Sequence, residues 1–152
     1  MLPVKLIAKS QSHEEHDEQK KLVLFITNYL MHEYPILRWL HAIPNGVSLA
    51  GIDKVTRAKI TTQMTNEGVK SGICDLFLPV RNQEYSGLYI EMKSKTGKEK
   101  PNQKQFIAFV REQGYKVVVP RSADEALSEI VQYCGLPKEI RLNQYKDELR
   151  SA

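Results

Sequence analysis

Apolar positions along the chain switch repeatedly between a helical and a strand period. From about Ser12 to Met31, Leu22, Phe25, Ile26, Tyr29 and Leu30 recur at steps of three and four, predicting an amphipathic helix with an acidic start. Carried backwards, that stripe meets Gln19, Glu18 and Glu15, so at least one glutamate is expected on or beside the inward face. Leu37, Trp39 and His41 alternate with Arg38 and Leu40, predicting a short strand closed by the turn Pro44-Asn45-Gly46. Val55 to Asn66 predicts a helix with Arg57 and Lys59 exposed and Gly68 as its left-handed cap, on a poor apolar period.

Two strands are expected next, around Asp75 and around Glu91, joined by the polar stretch Pro79 to Ser86. In the second, Tyr89, Glu91 and Lys93 share one face while Leu88, Ile90 and Met92 share the other. After the basic loop Lys95 to Lys100, Pro101 opens a helix whose Phe106, Ile107, Val110 stripe runs back onto Gln103 and which Gly114 ends. Tyr115 to Val119 reads as a strand. Ser122-Ala123-Asp124-Glu125 reads as a capping box opening a helix with Ala126, Leu127, Ile130 and Val131 inward and Gly135 at its end. Beyond it, Leu136 to Ala152 is polar, with Ile140, Leu142, Tyr145 and Leu149 as anchors for a docked or partner-binding helix. This order favours a mixed α/β sandwich, a central sheet flanked by helices, in a single domain over 1–152 with a core of about 12–135 and a polar tail at 136–152.

Composition narrows the class. The chain has 152 residues, 41% hydrophobic and 26% charged, which suits one globular domain with its own core. No apolar run approaches membrane-spanning length, and Met1 to Ser10 lacks a secretory pattern, so the expected location is the cytoplasm. Cys74 and Cys134 have no zinc-type spacing and are expected as reduced thiols. The net charge of +4 suits a polyanionic partner. More telling is its distribution: Lys93, Lys95, Lys98, Lys100 and Lys104 crowd one region, with Glu99 the one acid after Glu91.

Within that region two carboxylates and a lysine can converge. Asp75 and Glu91 offer the hard oxygen ligands that Mg²⁺ prefers, and Lys93 shares a strand face with Glu91. Exposed acids on a strand are common as a guard against sheet aggregation, so each residue alone says little; their order and company say more. Lys54, Arg57, Lys59, Lys70, Lys95, Lys98, Lys100 and Lys104 are expected to contact phosphates without reading bases, with Asn45 beside them on the DNA-binding surface. His13, His16, His32 and His41 are read as structural or surface residues, His41 being a candidate for contact near the site, and Tyr89 as packing.

Asp75, Glu91 and Lys93 form the D…ExK string of the PD-(D/E)XK nuclease superfamily. The surrounding segments resemble the virus-type replication-repair nuclease (VRR-NUC) domain: Ile43-Pro44-Asn45-Gly46, Gly68 and Gly72 before Cys74-Asp75-Leu76, Leu88-Tyr89-Ile90-Glu91-Met92-Lys93, and Pro101-Asn102-Gln103-Lys104 leading to Gly114-Tyr115. The resemblance spans about Ser12 to Cys134 and is to a stand-alone, phage-like form. It departs at Cys74, where the family usually has proline, a change expected to touch backbone conformation more than ligand chemistry.

That resemblance implies a restriction-endonuclease-like core and a Mg²⁺-dependent endonuclease, with Mn²⁺ as substitute and no organic cofactor, acting on branched DNA in phage replication, recombination or repair. It implies Asp75, Glu91 and the main-chain carbonyl of Met92 as metal ligands, and Lys93 as the residue that orients water or stabilises the transition state. Gln103 would position Lys93 or the water, and a first-helix glutamate would assist the metal. Glu14, Glu15 and Glu18 are available there; Glu15 is favoured because it stands four residues before Gln19 and lies on the stripe of Leu22 and Ile26, with Glu18 as the alternative. One active centre per chain makes symmetrical cutting of a four-way junction a task for a homodimer. A DNA-binding module that keeps the fold without catalysis, and a sequence-specific restriction-type nuclease, remain the competing readings.

Overall fold

The structure, a computed structural model, describes residues 4–45 and 49–145, with side chains described over 13–45 and 49–143. Its centre is a four-stranded mixed sheet in the order β1-β2-β3-β4, made of β1 (His41–Ala42), β2 (Leu76–Leu78), β3 (Leu88–Ile90) and β4 (Lys116–Val118). β1 and β2 pair antiparallel, as do β2 and β3, while β3 and β4 are parallel and connected through α4 (Pro101–Glu112). The ladder continues past the end of β3: Glu91 N–H donates to the Val118 carbonyl and Lys93 N–H to that of Pro120, both at 3.0 Å. The strand alternation therefore persists to Lys93.

Alternation sorts the side chains into two layers. Leu76, Leu78, Leu88, Ile90, Met92 and Val118 bury into the larger core with α1 (Val4–Phe25) and α5 (Ala123–Cys134). On the other face Val117 joins Ile107 and Val110 of α4, flanked by Tyr89, Phe106 and Tyr115. Tyr89 stacks on Phe77 at 4.4 Å and meets Phe106 edge-on at 5.3 Å, so it packs, as expected.

The first helix is longer than its apolar stripe, beginning at Val4 and continuing through a π-helical segment, Ile26–Leu30, into the short α2 (Met31–Glu33). The strand expected over Leu37 to His41 is a correction: Pro35–Trp39 forms a 3₁₀ turn, and only His41–Ala42 pairs as strand. Alternation misled because Leu37 is buried while Trp39 is 60% exposed, so the two never shared a face. The helix α3 (Lys54–Asn66) forms with Asp53 accepting from the Val55 and Thr56 amides, and it buries none of its residues. Gly68 follows it with φ of +94°, the left-handed cap expected there.

Ser122 caps α5 through the Glu125 amide, and Gly135 closes it in the left-handed region. In the tail, Ile140 is buried and Leu136 and Leu142 pack on the core, and its described part, 136–145, is irregular apart from a 3₁₀ turn, Leu142–Tyr145, in place of the expected helix. Gly46 of the expected turn, and Leu149, lie outside the described residues. Both cysteines are free thiols, and no helix among the described residues is long and apolar enough to cross a membrane.

Candidate active site

The cluster sits where β3 runs out between the start of α4 and the middle of α1. Asp75 immediately precedes β2, and its Oδ2 accepts from the Met92 amide at 2.8 Å, which ties it to the end of the neighbouring strand. Ile43 N–H donates to the Asp75 carbonyl at 2.9 Å, extending the β1 pairing and delivering Asn45, whose Nδ2 lies 3.4 Å from Asp75 Oδ1. Glu91 is 1% exposed and Lys93 6% exposed, which excludes an ordinary solvent-facing role for both. Their ion pair is 2.8 Å long.

Gln103, in the first turn of α4, joins two parts of the site. Its Nε2 donates to Glu91 Oε1 at 2.5 Å while its Oε1 accepts from the Lys100 amide at 2.9 Å, so the same side chain caps its own helix and orients the carboxylate. Placement of that helix start depends on Gly72: φ there is +86°, and a Cβ would lie 2.8 Å from Asn102 Cγ.

The two first-helix candidates separate cleanly. Glu15 Oε1 accepts from the Ser94 amide at 3.0 Å, directly after Lys93. Glu18 turns away: its Oε2 accepts from the Ala123 amide at the start of α5, and its Oε1 pairs with Lys21. Burial of Glu18 opposes ionisation, but the hydrogen bonds from Lys21 and Ala123 outweigh it and hold its carboxyl below the usual range. Among the described residues no three His, Cys, Asp or Glu side chains are placed to share one ion, so Glu15 does not complete a three-carboxylate cluster with Asp75 and Glu91.

Electrostatics mark the pair as strained in its charged form. Burial, then repulsion from Asp75, pushes the Glu91 carboxyl up to about 7 against the pull of Lys93. Burial likewise raises Asp75, partly offset by the Met92 hydrogen bond and the charge of Lys93. Glu91 Oε2 is buried without a hydrogen-bond partner, as are Asn45 Oδ1 and Ser94 Oγ. An orphaned oxygen on Glu91, one of two carboxylates that repel each other, suits a small hard cation and its waters. Cys74, buried between the site and the α4 layer, has its thiol pushed up to about 12 by burial and by the charges of Glu91 and Asp75, so it is inert.

Of the expected DNA contacts, Lys54, Lys59, Lys70, Lys95, Lys98, Lys100 and Lys104 are exposed. Arg57 is exposed too, but its guanidinium spans the Leu49 and Ile52 carbonyls, at 3.2 and 3.1 Å, and holds the loop ahead of α3. His41 is likewise committed, its Nδ1 bonded to the Trp39 carbonyl at 2.8 Å and its ring against Phe77. Arg121, which no sequence motif singled out, reaches the turn after Lys93 through three main-chain carbonyls.

A mixed sheet flanked by helices, carrying an aspartate before one strand and Glu-x-Lys at the end of the next, is the PD-(D/E)XK nuclease arrangement. Within that class the chain belongs to the VRR-NUC domain family, whose model matches residues 16–124. A solved structure described as a VRR_NUC domain protein is 27% identical, aligns over 67% of this chain and 72% of its own, and superposes with a TM-score of 0.53. No curated protein matches the sequence. Family membership assigns the chain a nuclease-type role in DNA processing.

Proposed function

We propose that the protein is a Mg²⁺-dependent endonuclease, with Mn²⁺ able to substitute, that hydrolyses phosphodiester bonds in branched DNA. The carrying observation is the buried Glu91–Lys93 pair, with half-buried Asp75 and Gln103 set against it and its Glu91 Oε2 left without a partner. Asp75, Glu91 and the Met92 carbonyl would hold the ion, with Glu15 reaching it through water. Bound there, Mg²⁺ supplies a lowered water pKa and neutralises phosphoryl charge. Lys93 keeps an ammonium where negative charge grows on the phosphorus oxygens, and Gln103 fixes the Glu91 carboxylate against rotation. In the reaction a water oxygen bonds to phosphorus, the bond to one bridging oxygen breaks, and that oxygen leaves with a proton.

Exposed lysines beside the site would grip the backbone, and a homodimer would present two centres to a four-way junction or flap. Phage replication, recombination or repair in the host cytoplasm is the setting that this substrate suits. Cleavage of duplex, flap and junction DNA, with and without Mg²⁺ or Mn²⁺, tests the reading. Asp75→Asn should abolish cutting and weaken metal binding in calorimetry, since a neutral amide loses the attraction to the ion. Lys93→Ala should slow cutting by about 10²- to 10³-fold, the scale of a lost transition-state donor, with DNA binding intact. Removing that cation should leave Mg²⁺ affinity undiminished, because Lys93 repels the ion. Metal-independent cutting, or unchanged metal affinity in Asp75→Asn, would remove the metal site; binding to junctions without cutting would leave a recognition module.

A further inference from the structure

We propose that Arg121 is a positioning residue of this nuclease site, acting through the Ser94–Gly97 turn on Glu15; the inference rests on the part given to Glu15 above. Arg121 Nη1 donates to the carbonyls of Ser94 at 2.6 Å, Gly97 at 2.8 Å and Lys95 at 3.3 Å. The turn closes on itself through Gly97 N–H to the Ser94 carbonyl, 3.2 Å. Ser94 is 1% exposed and is held at both ends of its backbone: its carbonyl by Arg121, its amide by Glu15 at 3.0 Å. Arg121 therefore fixes the residue whose N–H fixes the Glu15 carboxylate.

Arg121 is itself well anchored. Pro120, its neighbour, accepts from the Lys93 amide, and the Arg121 amide donates to Glu125 Oε2 at 2.8 Å in the first turn of α5. The two N–H groups of Nη1 serve the short Ser94 and Gly97 contacts, and the longer one to Lys95 is shared. Gly97, in the same turn, sits so tightly that a Cβ would come 2.8 Å from Ser94 Oγ and 3.1 Å from Glu15 Oε1. Arg121 and the close fit at Gly97 thus act on one turn, and both bear on Glu15.

The test uses Arg121→Gln, Gly97→Ala and Glu15→Gln, singly and with Arg121→Gln combined with Glu15→Gln. In the metal-free protein, amide exchange at Ser94 and Gly97 should accelerate about tenfold in Arg121→Gln, the equivalent of one charged hydrogen bond lost. Exchange in β3 and α5 should hold, which separates a local effect from general destabilisation. With Mg²⁺ and DNA, Arg121→Gln and Gly97→Ala should each lower kcat by about 10- to 100-fold, the scale of losing a partner that orients a ligand, while KM for DNA stays put. In the Glu15→Gln background, Arg121→Gln should cost little more. An equal further loss in that background, or unaltered Ser94 exchange, would overturn the inference. If Glu15→Gln alone left kcat unchanged, the role of Glu15 in the proposed function would fail and the inference with it; the Ser94 exchange rate tells these two failures apart.

Discussion

Glu91 carries the largest electrostatic burden of any site residue. Its carboxyl, near 4.5 in an unfolded chain, is pushed up to about 7 by burial and then by Asp75. Between those values the native state keeps a proton that the unfolded state has released, so this group's contribution to stability falls as pH rises through the window and levels off above it. Asp75 acts in the same direction from a lower starting point. Acids with lowered values, Glu18 and Asp53 among them, work oppositely, so the informative quantity is a difference. Melting curves of wild type and Glu91→Gln in a chelator, compared from pH 4.5 to 7, should show the wild type losing ground to the variant as pH rises. A constant gap would mean that Glu91 titrates in the fold as it does in the unfolded chain. At this scale much was legible in advance: spacing and alternation brought out Asp75, Glu91, Lys93 and Gln103, which the structure gathers within hydrogen-bonding reach of one another or of the same strand end. Choosing between Glu15 and Glu18 was harder, since both lie on the inward stripe of one helix. Tertiary contacts separate them, the Ser94 amide taking one and the Ala123 amide the other. Arg121 left no signature because its partners are carbonyls, which every residue has.

Elements differ in how much of their placement the sequence reveals. Helices α4 and α5 were readable because Pro101, Ser122, Gly114 and Gly135 bracket regular apolar stripes. The Pro35–Trp39 turn was not, since a five-residue stretch fits strand alternation and a 3₁₀ turn about equally until burial is known. Nor could the sequence show that α3 buries none of its residues. The start of α4 offers a test of how element placement reaches the chemistry. Gly72→Ala would put an L-residue at φ +86°, costing about 1–2 kcal/mol in backbone strain, and would also drive a methyl into Asn102. Gly68→Ala carries a similar backbone cost at φ +94°, with nothing within 4 Å of its Cβ. Both variants should melt at lower temperature, but only Gly72→Ala should also lower kcat, because Asn102 neighbours Gln103 and shifts the Glu91 contact with it. Equal loss of activity in the two would show that stability alone, and not the docking of α4, limits the enzyme.

Charge acts at the scale of the whole molecule. Lys93 is buried and paired, so the lysines available to DNA are the exposed ones, among them Lys98, Lys100 and Lys104, which lie within five residues of Gln103 along the chain. Such contacts release counterions from the backbone, so affinity should fall linearly on a log–log plot as salt rises. Replacing those three lysines with glutamine should flatten the slope by roughly 0.9 for each that touches a phosphate, leaving kcat at saturating DNA largely intact. Because phosphates carry no sequence information, shuffling the bases of a fixed junction should leave affinity nearly unchanged, whereas removing the branch should not. The proposed homodimer gives the reason for that asymmetry: two copies related by a two-fold axis would hold two centres at a fixed separation, and a branched substrate would engage both where a linear duplex aligns with one. Light scattering on the free protein, set beside cleavage rates on an immobile four-way junction and on a duplex of one arm's sequence, decides the matter. A dimeric mass with faster junction cleavage is the expected outcome, while a monomeric mass with equal rates would leave a nuclease that takes any duplex its lysines can hold.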